Sequence, residues 1–251
     1  MSGHSKWAQI KHKKAKMDAA RGKLFTKLIR EITIAARQGG GNPEHNPRLR
    51  NAIEAAKEAN MPQENIERAI KKGTGELPGV SYEESIYEGY APGGVAVMVE
   101  IQTDNKNRTL SEIKHIFAKH GGHLGSTGCV SWQFHKKGVI QLDKGEWGED
   151  KVMELAIELG VEDIKEEESA FTLYTRVEDF QRIKNNMKEK GINYTFADIT
   201  MVPETLVRLE GEKAEQVLSL VNELDEHPDV QNVYANFDIP EEILEAVLGN
   251  K

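Results

Sequence analysis

The fold of the N-terminal region depends on the stretch DAARGKLFTKLIREITIAARQGGG at residues 18–41. Its apolar residues recur at helical spacing, and they are Phe25, Leu28, Ile29, Ile32 and Ala36. This spacing predicts an amphipathic helix with one apolar face. The three glycines at 39–41 end the helix, because glycine readily takes the left-handed conformation found at helix C-termini.

The opposite face of this predicted helix carries cations. At about 100° per residue, Lys23, Lys27, Arg30 and Arg37 fall within a stripe about 80° wide, opposite the centre of the apolar set. We therefore expect one face to pack inward and the other to form a basic ridge.

Two further helices complete a predicted three-helix bundle. One begins at Asn46-Pro47, a capping residue followed by proline at the first helical position, and the next begins near Pro62. A helix-turn-helix interpretation is open, but the third helix begins with Gln63, Glu64 and Glu67, whereas base edges call for donors. Contacts to phosphates, which position a protein without reading base sequence, are the favoured alternative.

Charge is distributed unevenly along the 251 residues, whose net charge is −8. Residues 1–77 have a net charge of +8 and the remainder −16, and the first 30 residues hold nine cations against the single acid Asp18. A basic end on an acidic body indicates a polyanion held at that end, with nucleic acid the first choice and the acidic remainder directed away from it. The alternative is a solvated tail that is charged only for solubility.

The predicted nucleic-acid contacts come from a lysine-rich arm and the first helix. They are Lys6, Trp7, Lys11, His12, Lys13, Lys14, Lys16, Arg21, Lys23, Lys27, Arg30 and Arg37. Trp7 and His12 can stack on unpaired bases, which favours RNA or single strands. The alternative for Trp7 is packing on the bundle.

The acidic remainder is predicted to form two α/β domains. A hairpin of 84–90 and 95–101 begins the first domain, and a strand with Val130, Trp132 and Phe134 alternating follows. Residues 138–202 follow the order βαββαβ, which is typical of a ferredoxin-like domain. We therefore predict an α+β protein of three domains: a helical bundle (1–77), a discontinuous acidic domain (78–137 and 203–251) and a ferredoxin-like domain inserted in it (138–202).

The sequence favours a binding protein over an enzyme. His115, His120, His123 and Cys129 are metal-ligand residue types, but their spacing on a helix, a glycine-rich turn and a strand does not favour a tetrahedral site. The carboxylates at 162–168 form a solvated run, and no glycine-rich stretch is followed by Gly-Lys-Ser/Thr. We expect no catalytic residue, metal or cofactor.

Composition also limits where the protein acts. No apolar stretch approaches the ~20 residues that a membrane span requires, and Cys129 is the single cysteine. The N-terminus lacks the apolar region of a signal peptide. We expect a cytoplasmic protein.

Several ordered motifs resemble those of the YebC/PmpR family. They are GHSKW (3–7), IKHKK (10–14), RGK (21–23), FTKLIRE (25–31), NPRLR (46–50), YEGYAPGG (87–94), TDNKNRT (103–109) and GGHLG (121–125). Ala91 departs from the pattern, in which glycine is more usual. The resemblance implies the same three-domain architecture.

The resemblance implies two alternative functions. Family members are generally described as cytoplasmic DNA-binding transcriptional regulators, whereas a mitochondrial relative, the translational activator of cytochrome c oxidase, and some bacterial members act on the ribosome. We therefore predict a transcriptional regulator that binds duplex DNA, with a ribosomal-RNA-binding translation factor as the alternative. A third hypothesis is a protein-interaction module whose basic end is incidental. The acidic domains are the expected surface for a protein partner, and a monomer is expected.

Overall fold

The computed structural model describes residues 18–167, 169–240 and residue 243, and for residues 18–21 it describes the backbone only. Within these residues the chain forms seven α-helices and ten strands in three sheets, which confirms the predicted α+β class. None of the described helices combines the length and the apolar character that crossing a bilayer demands.

The helices and strands follow one another in three groups. The first group is α1 (Asp18–Gly39), α2 (Pro47–Glu58) and α3 (Gln63–Thr74). The second is β1 (Glu83–Ala91), β2 (Val95–Thr103), α4 (Lys106–Lys119), β3 (His123–Leu124), β4 (Phe134–Asp143), α5 (Glu149–Leu159), β5 (Asp163–Glu166), β6 (Ala170–Thr175), α6 (Val177–Glu189) and β7 (Phe196–Pro203). The third is β8 (Val207–Arg208), α7 (Gly211–Glu226), β9 (Val230–Ala235) and β10 (Phe237–Asp238).

Helices α1 to α3 form the predicted bundle around a small apolar core. Ile32, Leu49 and Ile66 are buried in it. Asn46 caps α2 as predicted, because its side chain accepts the N–H of Leu49 at 3.1 Å. The Asn46 amide also donates to the carbonyl of Ala35 at 2.8 Å, which ties the turn between α1 and α2 to α1 itself.

The middle domain is a four-stranded antiparallel sheet in the order β3-β1-β2-β9. Helices α4 and α7 contribute Phe117, Leu218 and Leu224 to its main core. Strand β9 lies beside β2, so a strand from the C-terminal part of the chain joins the sheet that begins at Glu83.

Strands β4 to β7 form a separate antiparallel sheet in the order β5-β6-β4-β7, which is the ferredoxin-like arrangement. Helices α5 and α6 supply Leu159, Phe180 and Ile183 to its core, together with Ile140 and Leu173 from the sheet. The sequence limits of the three domains stay predictions.

The strand expected through Trp132 is wrong. Residues 131–133 form a short 3₁₀ turn, and the Trp132 side chain is 65% exposed, with its indole Nε1 donating to the carbonyl of Cys129 at 3.1 Å. The buried carboxylate of Glu88 accepts the N–H groups of Val130 and Ser131, both at 2.8 Å. Those donors therefore bond a side chain instead of a neighbouring strand, and the strand begins only at Phe134.

Candidate nucleic-acid interface

Most of the predicted arm lies outside the described residues. This applies to Lys6, Trp7, Lys11, His12, Lys13, Lys14 and Lys16. Arg21 lies in α1, but its side chain is not described either. Their contact with nucleic acid stays a prediction.

Lys23 lies near the start of α1 and is exposed. Its neighbours Gly22 and Thr26 are exposed as well, and the Thr26 hydroxyl donates to the Gly22 carbonyl at 3.0 Å, within the same helix. The beginning of the basic stripe therefore faces solvent, as predicted.

One helical turn further on, Lys27 is held by the middle domain. Its Nζ donates to the main-chain carbonyl of Asp225 at 3.0 Å and to the Asp225 carboxylate at 3.3 Å. The two side chains are only 15% and 18% exposed. Asp225 is in the last turn of α7, where carbonyls lack intrahelical donors and the helix dipole is negative, so both partners favour a cation there.

Arg30 lies deeper in the same joint, by which we mean the contact of α1 with the middle domain around Asp225 and Asp229. Its Nη1 lies 3.0 Å from the carboxylate of Asp229 and within 3.1 Å of the carbonyls of Gln102 and Pro228. The guanidinium carbon also lies 5.3 Å from the ring centroid of Tyr82, in cation–π range. The expectation of an open ridge is therefore wrong at Lys27 and Arg30, because the acidic domain covers this part of the stripe instead of pointing away from it.

Asp229 connects the two domains. Its side chain is 3% exposed and also accepts hydrogen bonds from Arg108 at 2.7 Å and from the hydroxyls of Thr109 at 2.7 Å and Thr103 at 3.1 Å. Burial alone would raise the pKa of the Asp229 carboxyl. The hydrogen bonds from Arg108, Thr109 and Thr103 outweigh that effect, so the pKa lies below its usual value and the group is ionised near neutral pH.

Arg37, at the end of the stripe, contacts the segment between the bundle and the sheet. It is exposed, and its guanidinium donates to the Ser81 hydroxyl at 2.6 Å and to the Val80 carbonyl at 3.5 Å. These contacts leave part of the guanidinium accessible to solvent.

A second ionic group joins the bundle to the sheet beside this stripe. Arg48 of α2 bonds Glu31 through Nε and Nη2, at 2.6 and 2.9 Å, and bonds Glu84 of β1 through Nη2 at 2.6 Å. The Glu31 hydrogen bond, followed by that of Glu84, raises the pKa of Arg48. In turn, the hydrogen bond from Arg48 lowers the pKa of Glu84, against the effect of burial. Arg48 is therefore the centre of a charged network between two domains.

Asp225, Asp229 and Arg48 are the interface residues that sequence reasoning missed. One signal was available: Ile34 lies about 20° from Lys23 around the helix, inside the basic stripe, and it is 3% exposed. An isoleucine in the middle of a supposedly solvent-facing ridge indicates that the ridge is covered there. The identity of covering residues such as Asp225, which lies 198 positions from Lys27 in sequence, has no local signal.

Among the described residues, one group combines metal-ligand residue types at close range: Glu112, His227 and Asp229. The oxygen and nitrogen atoms that would ligate a metal already take part in other hydrogen bonds and ion pairs. Each Asp229 oxygen is paired with an arginine, Oδ1 with Arg30 and Oδ2 with Arg108, and the main-chain N–H of Asp229 donates to Nδ1 of His227 at 3.2 Å. With Nδ1 accepting, neutral His227 carries its proton on Nε2, which lies 2.9 Å from Glu112 and donates to it. In this tautomer the Nδ1 lone pair accepts the Asp229 N–H and Nε2 carries the proton, so neither ring nitrogen is open to a cation and the group does not fit a metal.

The four residues weighed at first as metal ligands, His115, His120, His123 and Cys129, lie in different surroundings. His120 bonds Glu223 at 2.7 Å, whereas the His123 ring lies beside Tyr90 with centroids 5.8 Å apart. His115 lies on the exposed side of α4. Burial, together with the charge of Glu88, raises the pKa of the Cys129 thiol, which disfavours the thiolate that a metal would require.

Known proteins match the chain along almost all of its length. A family model described as the TACO1/YebC protein N-terminal domain matches residues 5–76, and one described as the TACO1/YebC second and third domain matches residues 82–237. A protein of Syntrophus aciditrophicus with the name "Probable transcriptional regulatory protein" is 59% identical over 246 residues, 98% of each chain. One of Dictyoglomus turgidum with the same name is 57% identical over 248 residues, 98% of this chain and all of the relative.

The fold has a solved counterpart. The crystal structure of a conserved hypothetical protein from Aquifex aeolicus superposes with a TM-score of 0.79 at 57% identity, covering 92% of this chain and 95% of that one. The two family models cover every quoted motif except Gly3 and His4 of the first one, and these matches confirm the resemblance. The chain belongs to the TACO1/YebC family.

Proposed function

We propose that this chain is a non-enzymatic transcriptional regulator that binds duplex DNA in the cytoplasm through its basic N-terminal segment. The observation that carries the proposal is the charge of the first 30 residues, nine cations against one acid. Curated relatives at 57–59% identity have names that indicate transcriptional regulation. Phosphate is the group that a dense array of lysines binds with least demand on geometry.

Within this segment the proposed contacts divide into two parts. The arm, with Lys11, Lys13 and Lys14, and the start of α1, with Arg21 and Lys23, make the primary contacts. Exposed Lys23 supports this division, because it continues the arm along the open part of the stripe. Such contacts hold the backbone of DNA without reading its bases. The acidic domains would then be available to a protein partner.

The test is titration of a fluorescein-labelled 30-base-pair duplex of random sequence with the full chain, read by anisotropy at several salt concentrations. In the test variant Lys11, Lys13, Lys14 and Lys23 are changed to Glu. We expect a loss of affinity of at least about 100-fold at low salt and a fall of about four in the slope of log K against log salt. A circular-dichroism melt checks that the fold is intact.

The matched control makes the same change of charge far from the proposed site. Lys151, Lys165, Lys188 and Lys213 are exposed lysines of the other two domains, and their change to Glu should leave the affinity within about threefold. Equal losses in both variants would reduce the effect to net charge and contradict the proposal. Tighter binding of a ribosomal RNA hairpin than of the duplex, at equal salt, would instead support the translation alternative.

A further inference from the structure

We propose that the docked part of α1 is an autoinhibitory contact, in which Asp225 and the C-terminal end of α7 occupy Lys27 in place of a nucleic-acid phosphate. This inference rests on the proposed function, because it concerns the regulation of the same basic face. In the docked state Lys27 and Arg30 are covered, whereas Lys23 at the start of the stripe and part of Arg37 at its end are open. Release of the bundle from the acidic domain would extend the phosphate-binding face along α1.

The geometry puts Asp225 and a nucleic-acid phosphate in competition for Lys27. Lys23 and Lys27 are four residues apart on one face of the helix, about 6 Å along its axis. Lys23 is exposed, whereas Lys27 is bonded to Asp225. A backbone that binds at Lys23 and follows the stripe therefore meets the Asp225 carboxylate at the next position. Two anions cannot share that lysine without strong repulsion.

The end of α7 offers Lys27 much the same chemistry as a phosphate does. One anionic oxygen comes from the carboxylate at 3.3 Å, and a second acceptor is the main-chain carbonyl at 3.0 Å, at the negative end of a 16-residue helix. A cation that satisfies this site is equally suited to a phosphate diester.

The docked joint also contains unsatisfied polar atoms. Arg30 Nε and Gln102 Oε1 are buried, and neither has a hydrogen-bond partner within the described part of the chain. Both atoms lie where α1 meets the end of β2, since Arg30 donates to the Gln102 carbonyl. Opening the joint would hydrate them, so the closed state carries a cost that the open state lacks.

The other named contacts of the bundle are mostly ionic and partly exposed. Arg48 and Glu84 are 37% and 38% exposed. On the inserted domain, Lys184 pairs with Glu58 of α2 at 3.2 Å, and that glutamate is 68% exposed. Ion pairs of this kind weaken with salt and with a competing polyanion. Nucleic acid can therefore compete for these outer pairs, whereas the buried Arg30–Asp229 pair is screened much less and is the contact that resists release.

The test compares two single variants of the full chain with equal charge changes. Asp225→Asn removes the carboxylate at Lys27, whereas Glu212→Gln lies at the exposed opposite end of the same helix. With the 30-base-pair duplex as probe at about 100 mM salt, we expect Asp225→Asn to bind about fivefold more tightly, because a larger fraction of molecules is open. Glu212→Gln should stay within about twofold of the unaltered chain.

A double variant then asks whether Lys27 takes part in binding. Adding Lys27→Gln to Asp225→Asn should lower the slope of log K against log salt by about one relative to Asp225→Asn alone. A circular-dichroism melt of each variant establishes that it is folded.

The possible results separate this inference from the proposed function. If the unaltered chain binds the duplex but Asp225→Asn gains no more affinity than Glu212→Gln, the autoinhibitory contact is overturned and the proposed function stands. The contact is likewise overturned if adding Lys27→Gln leaves the slope unchanged. If neither the unaltered chain nor Asp225→Asn binds the duplex, both proposals are overturned.

Discussion

Replacing Asp229 by Asn should destabilise the joint between the bundle and the middle domain far more than its small change of shape suggests. The native carboxylate is 3% exposed; it forms an ion pair with Arg30 and accepts hydrogen bonds from Arg108, Thr103 and Thr109. An amide keeps one oxygen but turns an NH₂ group toward those donors. Arg108 is 44% exposed and can regain water, whereas Arg30, at 14%, remains enclosed without its counter-ion.

The expected loss in the free energy of unfolding follows from this difference in exposure between Arg108 and Arg30. A hydrogen bond to a charged group contributes about 1.5–3 kcal/mol, and removing one partner of a buried ion pair costs about 3–5 kcal/mol. With Arg108 rehydrated and Arg30 stranded, we expect Asp229→Asn to lower the free energy of unfolding by about 3 kcal/mol. In a chain of this length that corresponds to a fall in Tm of about 8 °C.

Urea denaturation followed by circular dichroism at pH 7 is the measurement, with Asp104→Asn as control. Asp104 bonds the same Arg108 at 2.9 Å but is 44% exposed, so its change should cost less than about 1 kcal/mol. A loss for Asp229→Asn as small as that of the control would refute the reasoning that burial of Arg30 sets the magnitude.

The stability difference between the native chain and Asp229→Asn should depend on pH in a defined direction. The pKa of Asp229 is lower in the folded chain than in the unfolded one, so its contribution to stability is fully present above the unfolded value of about 3.9 and is lost as the pH falls through the folded value. The gap in stability between the native chain and Asp229→Asn should therefore be constant from neutral pH to about pH 5 and close in stronger acid. A gap that widens in acid would contradict this assignment.

Two further predictions concern the bundle and the turn before β4. Gly73→Ala should destabilise the bundle by about 1–3 kcal/mol, because the added Cβ would lie 2.4 Å from the carbonyl of Thr33. Thermal melts of the two proteins measure this loss of stability. An unchanged Tm would show that the helices separate without cost. Glu88→Gln should loosen the turn at 128–131, because the carboxylate accepts three main-chain N–H groups there at 2.7–2.8 Å. Since Cys129 lies in this turn, its reaction with Ellman's reagent should become at least about threefold faster. Equal reaction rates in the two proteins would count against an anchoring role for Glu88.

Local patterns were sufficient for most of the elements and for the fold class. The helix bounds around Phe25 and the cap at Asn46 follow from spacing and capping chemistry, which act within a few residues. The turn at Trp132 did not follow from them, because alternation of Val130, Trp132 and Phe134 is also compatible with a short turn. There the deciding group, the Glu88 carboxylate, comes from a strand some 40 residues earlier in the chain.

The candidate site also has one part that the sequence predicts and another that only long-range contacts decide. The basic stripe on α1 is a property of the sequence, since it needs only the helical period and the identity of Lys23, Lys27, Arg30 and Arg37. Ile34 within the stripe signals that part of it is covered, but which of those cations face solvent was decided by the tertiary structure. Long-range partners such as Asp225 carry no local signal, because electrostatic pairing depends on distance in space and not on separation along the chain.

The sequence by itself therefore determined the charge asymmetry, the order of most of the elements and the α+β class, because each of these arises from composition or from a short-range period. Only the tertiary structure decided that the acidic domain lies against the basic helix, with Asp229 at 3% exposure between Arg30 and Arg108. The physical reason is that opposite charges attract according to their distance in space, and burying them is favourable only where the fold also supplies hydrogen bonds that offset their desolvation.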